Sequence, residues 1–254
     1  MTIDEQSFVN ATRLHDVTPE APIVVRGLSK SLGGDPVLHD ITFVARRGAV
    51  TGLVGPNGSG KTTTLRCLLA LAEPDSGQAL VEGVPYRQIG RPARILGAMC
   101  ENAGLQPGRS ANDHLELAQA MASVSSGPAS TQQLLDQVGL PGCGKTKVGQ
   151  MSLGMRQRLA LAIALVGSPK ILVLDEPANG LDPEGIEWLR GFLRRFAANG
   201  GTVLITSHIL SEMQRLVDAV VVIRGGRVVA MSDTCPDDLE DFYHATQTNE
   251  RVRT

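Results

Sequence analysis

The chain has 254 residues, enough for one large domain or two small ones with a substantial buried core. Hydrophobic residues make up 42% and charged residues 20%, an ordinary globular balance, while a formal charge of −2 and 3% aromatics leave neither the basic footprint nor the stacking platforms of a nucleic-acid binder. Cys67, Cys100, Cys143 and Cys235 form no CxxC pair, which argues against a zinc site or disulfide framework and for a reducing compartment.

Residues 1–21 are polar, run into Pro19-Glu20-Ala21-Pro22 and read as a loose extension without the apolar region of a signal peptide. Ile23–Leu28 and Ile41–Val44 read as strands around the turn-rich Gly33-Gly34-Asp35-Pro36. Ala49–Val54 is a short buried strand leading into GPNGSGKTT (55–63), and Lys61–Ala72 has helical periodicity with Leu65, Leu68 and Leu69 on one side. Ser110-x-x-Asp113 and Ser130-x-x-Gln133 have the form of capping boxes opening two helices, with Gly139 as a stop, so that 103–150 reads as a helical insert.

Past Ser152 an α/β pattern returns. A helix to about Val166 leads to strand Ile171–Leu174, and Asp182-Pro183 opens a further helix with proline at a favoured first position. Gly200-Gly201 precedes strand Thr202–Thr206 and helix Ile209–Val217, and strands Val220–Ile223 and Arg227–Ala230 flank Gly225-Gly226. No apolar run, Leu159–Val166 included, reaches membrane-spanning length. The tail after Ser232 is acidic at 237–241 and carries no predicted element. Strands alternating with helices imply an α/β fold with a mostly parallel sheet covered on both faces.

The glycine loop carries the first chemistry. Gly55-Pro56-Asn57-Gly58-Ser59-Gly60-Lys61-Thr62 fits the P-loop pattern between a strand and a helix, as a phosphate cradle requires. Its glycines let successive N–H groups point at phosphates, Lys61 brings positive charge, and Thr62 offers a hydroxyl to Mg²⁺. In ILVLDEP (171–177) two carboxylates emerge at a strand's C-terminal edge. Asp175 suits a water-mediated metal contact and Glu176 a general base, against the plainer alternative of a solvated turn. His208 follows another apolar strand, where it could polarise a phosphate and a water or simply be structural. Met151-Ser152-Leu153-Gly154-Met155 opens a helix, a second place whose N–H groups suit an anion.

With these residues in order, the chain resembles the nucleotide-binding subunits of ATP-binding-cassette (ABC) transporters over about residues 22–232. The Met151–Met155 stretch is similar to the family's signature, 171–176 to Walker B, the segment Ala178-Asn179-Gly180-Leu181-Asp182 to the D-loop, the region near Glu101 to the Q-loop and His208 to the switch histidine. The resemblance implies a P-loop ABC core with an antiparallel β-subdomain and a helical subdomain at about 103–150, an N-terminal extension at 1–21 and a short tail at 233–254. It implies ATP and Mg²⁺ as ligands, with Thr63, Glu101, Ser152, Gly154 and Asp182 joining the P-loop residues at the nucleotide and Thr62, Asp175 and Glu101 at the metal. Glu176, His208 and Lys61 become the catalytic set. The family pairs two such domains head to tail, so that Ser152 and the Gly154 N–H serve the partner's nucleotide. It also places the chain in the cytoplasm, on the inner face of the membrane through a separate permease subunit.

Some positions depart from the family pattern. Leu153 and Met155 stand where Gly and Gln are usual, Glu101 replaces the Q-loop glutamine, and Leu32 falls where an aromatic commonly stacks on adenine. Glu101 together with SLGMRQRL (152–159) resembles bacterial antibiotic and lantibiotic exporters. The expected function is therefore an ATPase energising a membrane-spanning exporter. A soluble ABC ATPase unlinked to transport and a regulatory cassette without hydrolysis are the rival readings.

Overall fold

A computed structural model describes residues 21–100, 104–122 and 130–250, the side chains of the last turn at 247–250 excepted. Glu101 and nearly all of the expected N-terminal extension lie outside the described residues. The chain divides into two units, one made of residues up to Gln88 together with Leu193 onward, the other of Ile89–Phe192.

In the first unit, strands β1 (Ile23–Leu32) and β2 (Asp35–Ala45) form an antiparallel hairpin, and β4 (Ser76–Val81) adds to the free side of β1 in the order β2-β1-β4. The connecting pair Gly33-Gly34 has φ of 61° and 97°, the left-handed turn that matches strand twist. Ile23, Leu28, Ile41 and Phe43 are fully buried beneath this hairpin.

The unit's other strands run β7-β3-β8-β9. Strand β3 (Val50–Val54) lies parallel to both β7 (Thr202–Ser207) and β8 (Ala219–Arg224), while β9 (Arg227–Ser232) returns antiparallel across Gly225-Gly226. Every residue of β3 is buried, Thr51 included, so its sequence lacks the polar–apolar alternation of a half-exposed strand. The strand is pinned at its start by Asp218, whose carboxylate accepts from Val50 N at 2.8 Å while its own N–H donates to Val50 O at 2.8 Å.

Helix α1 (Lys61–Leu68) is shorter than the periodicity to Ala72 suggests. Ala70 adopts φ 56°, Leu71 N donates to Arg66 O and Ala70 N to Cys67 O, so a Schellman motif ends the helix there without a glycine. Helix α6 (Leu210–Gln214) and helix α7 (Leu239–Glu250) complete the unit. The sequence carries no clear sign of α7. Its acidic run places Glu240 and Asp241 in the first turn, where the helix dipole favours them, and Gln214 of α6 receives its start. The Gln214 amide donates to Pro236 O at 2.7 Å and accepts from Leu239 N, and Leu239 is fully buried.

In the second unit, β5 (Leu96–Met99) pairs in parallel with β6 (Ile171–Asp175). Helix α4 (Leu153–Ala164) packs so near β5 that a Cβ on Gly97 would stand 2.0 Å from Ala164 O. Helices α2 (Ala111–Met121) and α3 (Thr131–Gln137) both begin with the capping boxes legible in the sequence. Ser110 Oγ accepts from Asp113 N at 3.2 Å and Asp113 Oδ2 from Ser110 N at 2.8 Å; that Ser110 N–H and, after it, the Ser110 side chain lower the pKa of the Asp113 carboxyl. Gly139, at φ 73°, turns the chain out of α3. Leu115, Leu134, Leu135 and Leu159 are buried where these helices meet α4. Helix α5 (Pro183–Ala198) starts in this unit behind Asp182, and the Arg158 guanidinium lies 4.2 Å over its Trp188 ring, so that Trp188 is a packing residue. No helix among the described residues is long and apolar enough to cross a membrane.

Candidate functional site

The glycine loop leaves β3 at Val54 and delivers the chain into α1. A Cβ on Gly55 would stand 2.1 Å from Ile223 O, so only glycine lets the loop pass this close to β8. Gly60 caps α1 in the left-handed region at φ 106°, contributes no side-chain cap, and the first turn carries no acidic residue. A helix start of this kind, with its N–H groups and dipole end uncompensated by a side-chain carboxylate, suits an anion. Pro56, Asn57 and Gly58 are exposed, whereas Ser59, Gly60 and Lys61 are buried, and Thr62 and Thr63 are intermediate.

Lys61 is folded back along its own loop. Its Nζ donates to Gly55 O at 2.8 Å and to Pro56 O at 3.2 Å, and the residue is 5% exposed. Beside it Ser59 Oγ is buried without a hydrogen-bond partner. A buried hydroxyl with an open valence beside a buried cation whose ammonium lies against the loop carbonyls fits a polyphosphate, which would supply acceptors to each. Thr64, deeper in α1, is satisfied internally by its hydroxyl donating to Gly60 O at 2.9 Å.

The loop also has a support that sequence reasoning missed. Gly226 N, in the β8–β9 turn, donates to Ser59 O at 3.0 Å, and Gly226 O accepts from His39 N of β2 at 2.7 Å. In the sequence Gly225-Gly226 reads as a hairpin turn and nothing more, because its partners are remote along the chain. His208 lies in the same unit. Its predecessor Ser207 is the register partner of Val54, so parallel pairing of β7 with β3 sets the exposed His208 beside the entry to the loop.

The second unit carries Asp175, Glu176, Asp182, Ser152 and Gly154. Asp175 ends β6 and is 2% exposed, while Glu176 follows at φ 49°, a left-handed conformation uncommon for a side-chain-bearing residue. Asn179 N donates to Glu176 O at 3.2 Å and Leu181 N to Ala178 O at 3.0 Å, which folds 176–181 into successive turns. Asp182 Oδ1 accepts from Gly185 N at 2.7 Å and thereby caps α5. Ser152 is the N-cap of α4, its Oγ accepting from Met155 N at 3.2 Å, and it is exposed, with Gly154 next in the first turn. Leu32 stands at the tip of β1, 44% exposed, with no aromatic group to offer a base.

Residues 38–179 match the family model described as ABC transporter. The lantibiotic transport ATP-binding protein SrtF of Streptococcus pyogenes is 40% identical over 221 residues, covering 87% of this chain and 95% of that protein. The Nod factor export ATP-binding protein I of Burkholderia lata is 39% identical over 84% of this chain and 71% of its own length. Among solved structures, the ATP binding subunit of an ABC transporter superposes with a TM-score of 0.77 at 28% identity, over 89% of this chain and all of that one. A dimeric ATP-binding cassette in a post-hydrolysis state with ADP and Pi shares the fold, with a TM-score of 0.73 at 21% identity over 83% of this chain and 97% of that one. These matches bear out the expected α/β class, in which a parallel-rich sheet is joined by an antiparallel one.

Proposed function

The chain belongs to the ABC transporter family, and on that premise we propose that it is the ATPase subunit of an exporter for an antibiotic, a peptide such as a lantibiotic, or another drug-like substrate. The reading is carried by its likeness, over nearly the whole of that protein's length, to a lantibiotic transport ATP-binding protein. Binding and hydrolysis of ATP drive the transport cycle, and the glycine loop at the start of α1 is where the phosphates dock.

Lys61 exchanges the Gly55 and Pro56 carbonyls for the terminal phosphate, and the first-turn amides of α1 take the neighbouring phosphate oxygens. Thr62 and Asp175 are the residues that would hold Mg²⁺, with Glu101 as a further oxygen donor; when bound, the ion offsets phosphate charge. Glu176 accepts the proton of the attacking water. His208 orients that water and the γ-phosphate it attacks. Ser152 Oγ and the Gly154 N–H act on the nucleotide of a second domain docked head to tail, and Asp182 lies at the same junction. ATP binding and pairing are then linked, each raising the affinity for the other. A separate permease docks on the helical segment at 103–150 and holds the chain to the membrane's inner face.

Glu176→Gln tests the assignment of the base. It keeps the shape and removes the basicity, so ATP still binds, an ATP-dependent dimer accumulates on size-exclusion chromatography, and single-turnover hydrolysis falls by about 10²–10⁴-fold. Hydrolysis at the unaltered rate would move the base elsewhere.

A further inference from the structure

The start of α4 and the 178–182 loop interlock within the second unit. Gly180 stands at φ 74°, and a Cβ added to it would fall 2.0 Å from Leu153 Cδ2 and 2.9 Å from Leu153 Cγ. The leucine side chain thus occupies the space that any larger residue at 180 would need. Returning the contact, Leu181 Cδ2 lies 3.4 Å from where a Cβ of Gly154 would sit. One turn further along α4, Gln157 Nε2 donates to Asn179 O at 3.2 Å. The N–H of that same Asn179 donates to Glu176 O at 3.2 Å, and the far end of the loop is tied by Asp182 Oδ1 to Gly185 N.

Leu153 is among the exposed large hydrophobics, at 48%, and burial against the protein's core does not account for it. We propose that Leu153 and Gln157 are positioning residues that join the first turn of α4 to the loop carrying Glu176 and Asp182. Ser152 and Gly154, which the function proposed above assigns to the second domain's nucleotide, then move as one body with this chain's own base. Engagement of the partner's ATP is relayed from Ser152 through Leu153 to Gly180 and through Gln157 to Asn179, and from the Asn179 N–H to the Glu176 backbone. A glycine at 153 would leave the loop without its cover, and the two sites would communicate less tightly.

The chain alone supplies the first test. Hydrogen exchange is followed by mass spectrometry in peptides covering 177–182 and, as an internal reference, α5. Leu153→Gly speeds exchange in 177–182 by about tenfold while α5 is unchanged, Gln157→Ala does so by a smaller factor, and Leu153→Met restores protection. Unchanged exchange in Leu153→Gly overturns the proposal. The second test is a double-mutant cycle on hydrolysis, in which Gly180→Ala lowers kcat several-fold in the wild-type chain but much less in Leu153→Gly, because the collision is gone. Additive effects of Leu153→Gly and Gly180→Ala would mean that Leu153 acts on the partner directly and not through the loop, which also overturns it. A wild-type chain without ATPase activity would sink the function proposed above, and the exchange measurement would still decide this inference.

Discussion

Gly226→Ala isolates the support behind the glycine loop, and its neighbour Gly225 is the matched control. Both residues have positive φ, 71° and 51°, so alanine at either position takes on the left-handed penalty of about 1–2 kcal/mol. Their surroundings differ. A Cβ on Gly225 meets nothing within 4 Å, whereas on Gly226 it falls 2.2 Å from Val37 O and 2.9 Å from Val37 C, both backbone atoms that cannot swing aside. The turn must retreat, which stretches the bonds from Gly226 N to Ser59 O and from His39 N to Gly226 O. Each is worth about 0.5–1.5 kcal/mol net, so Gly226→Ala exceeds Gly225→Ala by about 1–3 kcal/mol in urea unfolding. Ser59 belongs to the phosphate loop, so its displacement also weakens ATP: a loss of about 1.4 kcal/mol there is a tenfold rise in Kd. Equilibrium dialysis with ATP on both variants measures it. If Gly226→Ala binds ATP as tightly as Gly225→Ala, the turn does not position the loop.

Other outcomes follow from the same geometry. Ser152→Arg leaves ATP binding by a dilute monomer nearly intact but abolishes steady-state hydrolysis; loss of monomer binding would contradict a role toward the partner's nucleotide. Leu32→Tyr places a ring at the exposed tip of β1 and tightens ATP binding by about 1 kcal/mol, on the scale of base–aromatic stacking, as read by calorimetry. No change in Kd would mean that the base lies elsewhere. Burial pushes the Cys67 thiol up, so less of it is thiolate at neutral pH and iodoacetamide labels the more accessible Cys143 first in timed peptide mapping. Raising the pH narrows the gap, and equal rates at pH 7 would show that Cys67 is not enclosed by α1 and its neighbours.

What the sequence determined by itself is what depends on neighbours a few residues apart. Ser110 and Ser130 cap their helices because the partner N–H is three residues on, and Asp182 with Pro183 opens α5 for the same reason. The glycine loop was legible because strand, loop and helix follow one another directly, and the order of motifs carried the family with it. The tertiary structure decided whatever rests on remote partners. Helix α7 has only an acidic run to announce it, and it forms where Gln214 offers both ends of its amide to Pro236 and Leu239. The edge strands β4 and β5 are short, carry Gly77 and Gly97 and have few β-branched residues, and they are held by pairing with β1 and β6. Gly226 behind Ser59 and Leu153 over Gly180 are contacts of shape, in which one residue's lack of a side chain makes room for another chain segment. Periodicity and spacing report which face of an element is apolar; they do not report which distant backbone comes within reach of it, and at this site that distance sets the geometry.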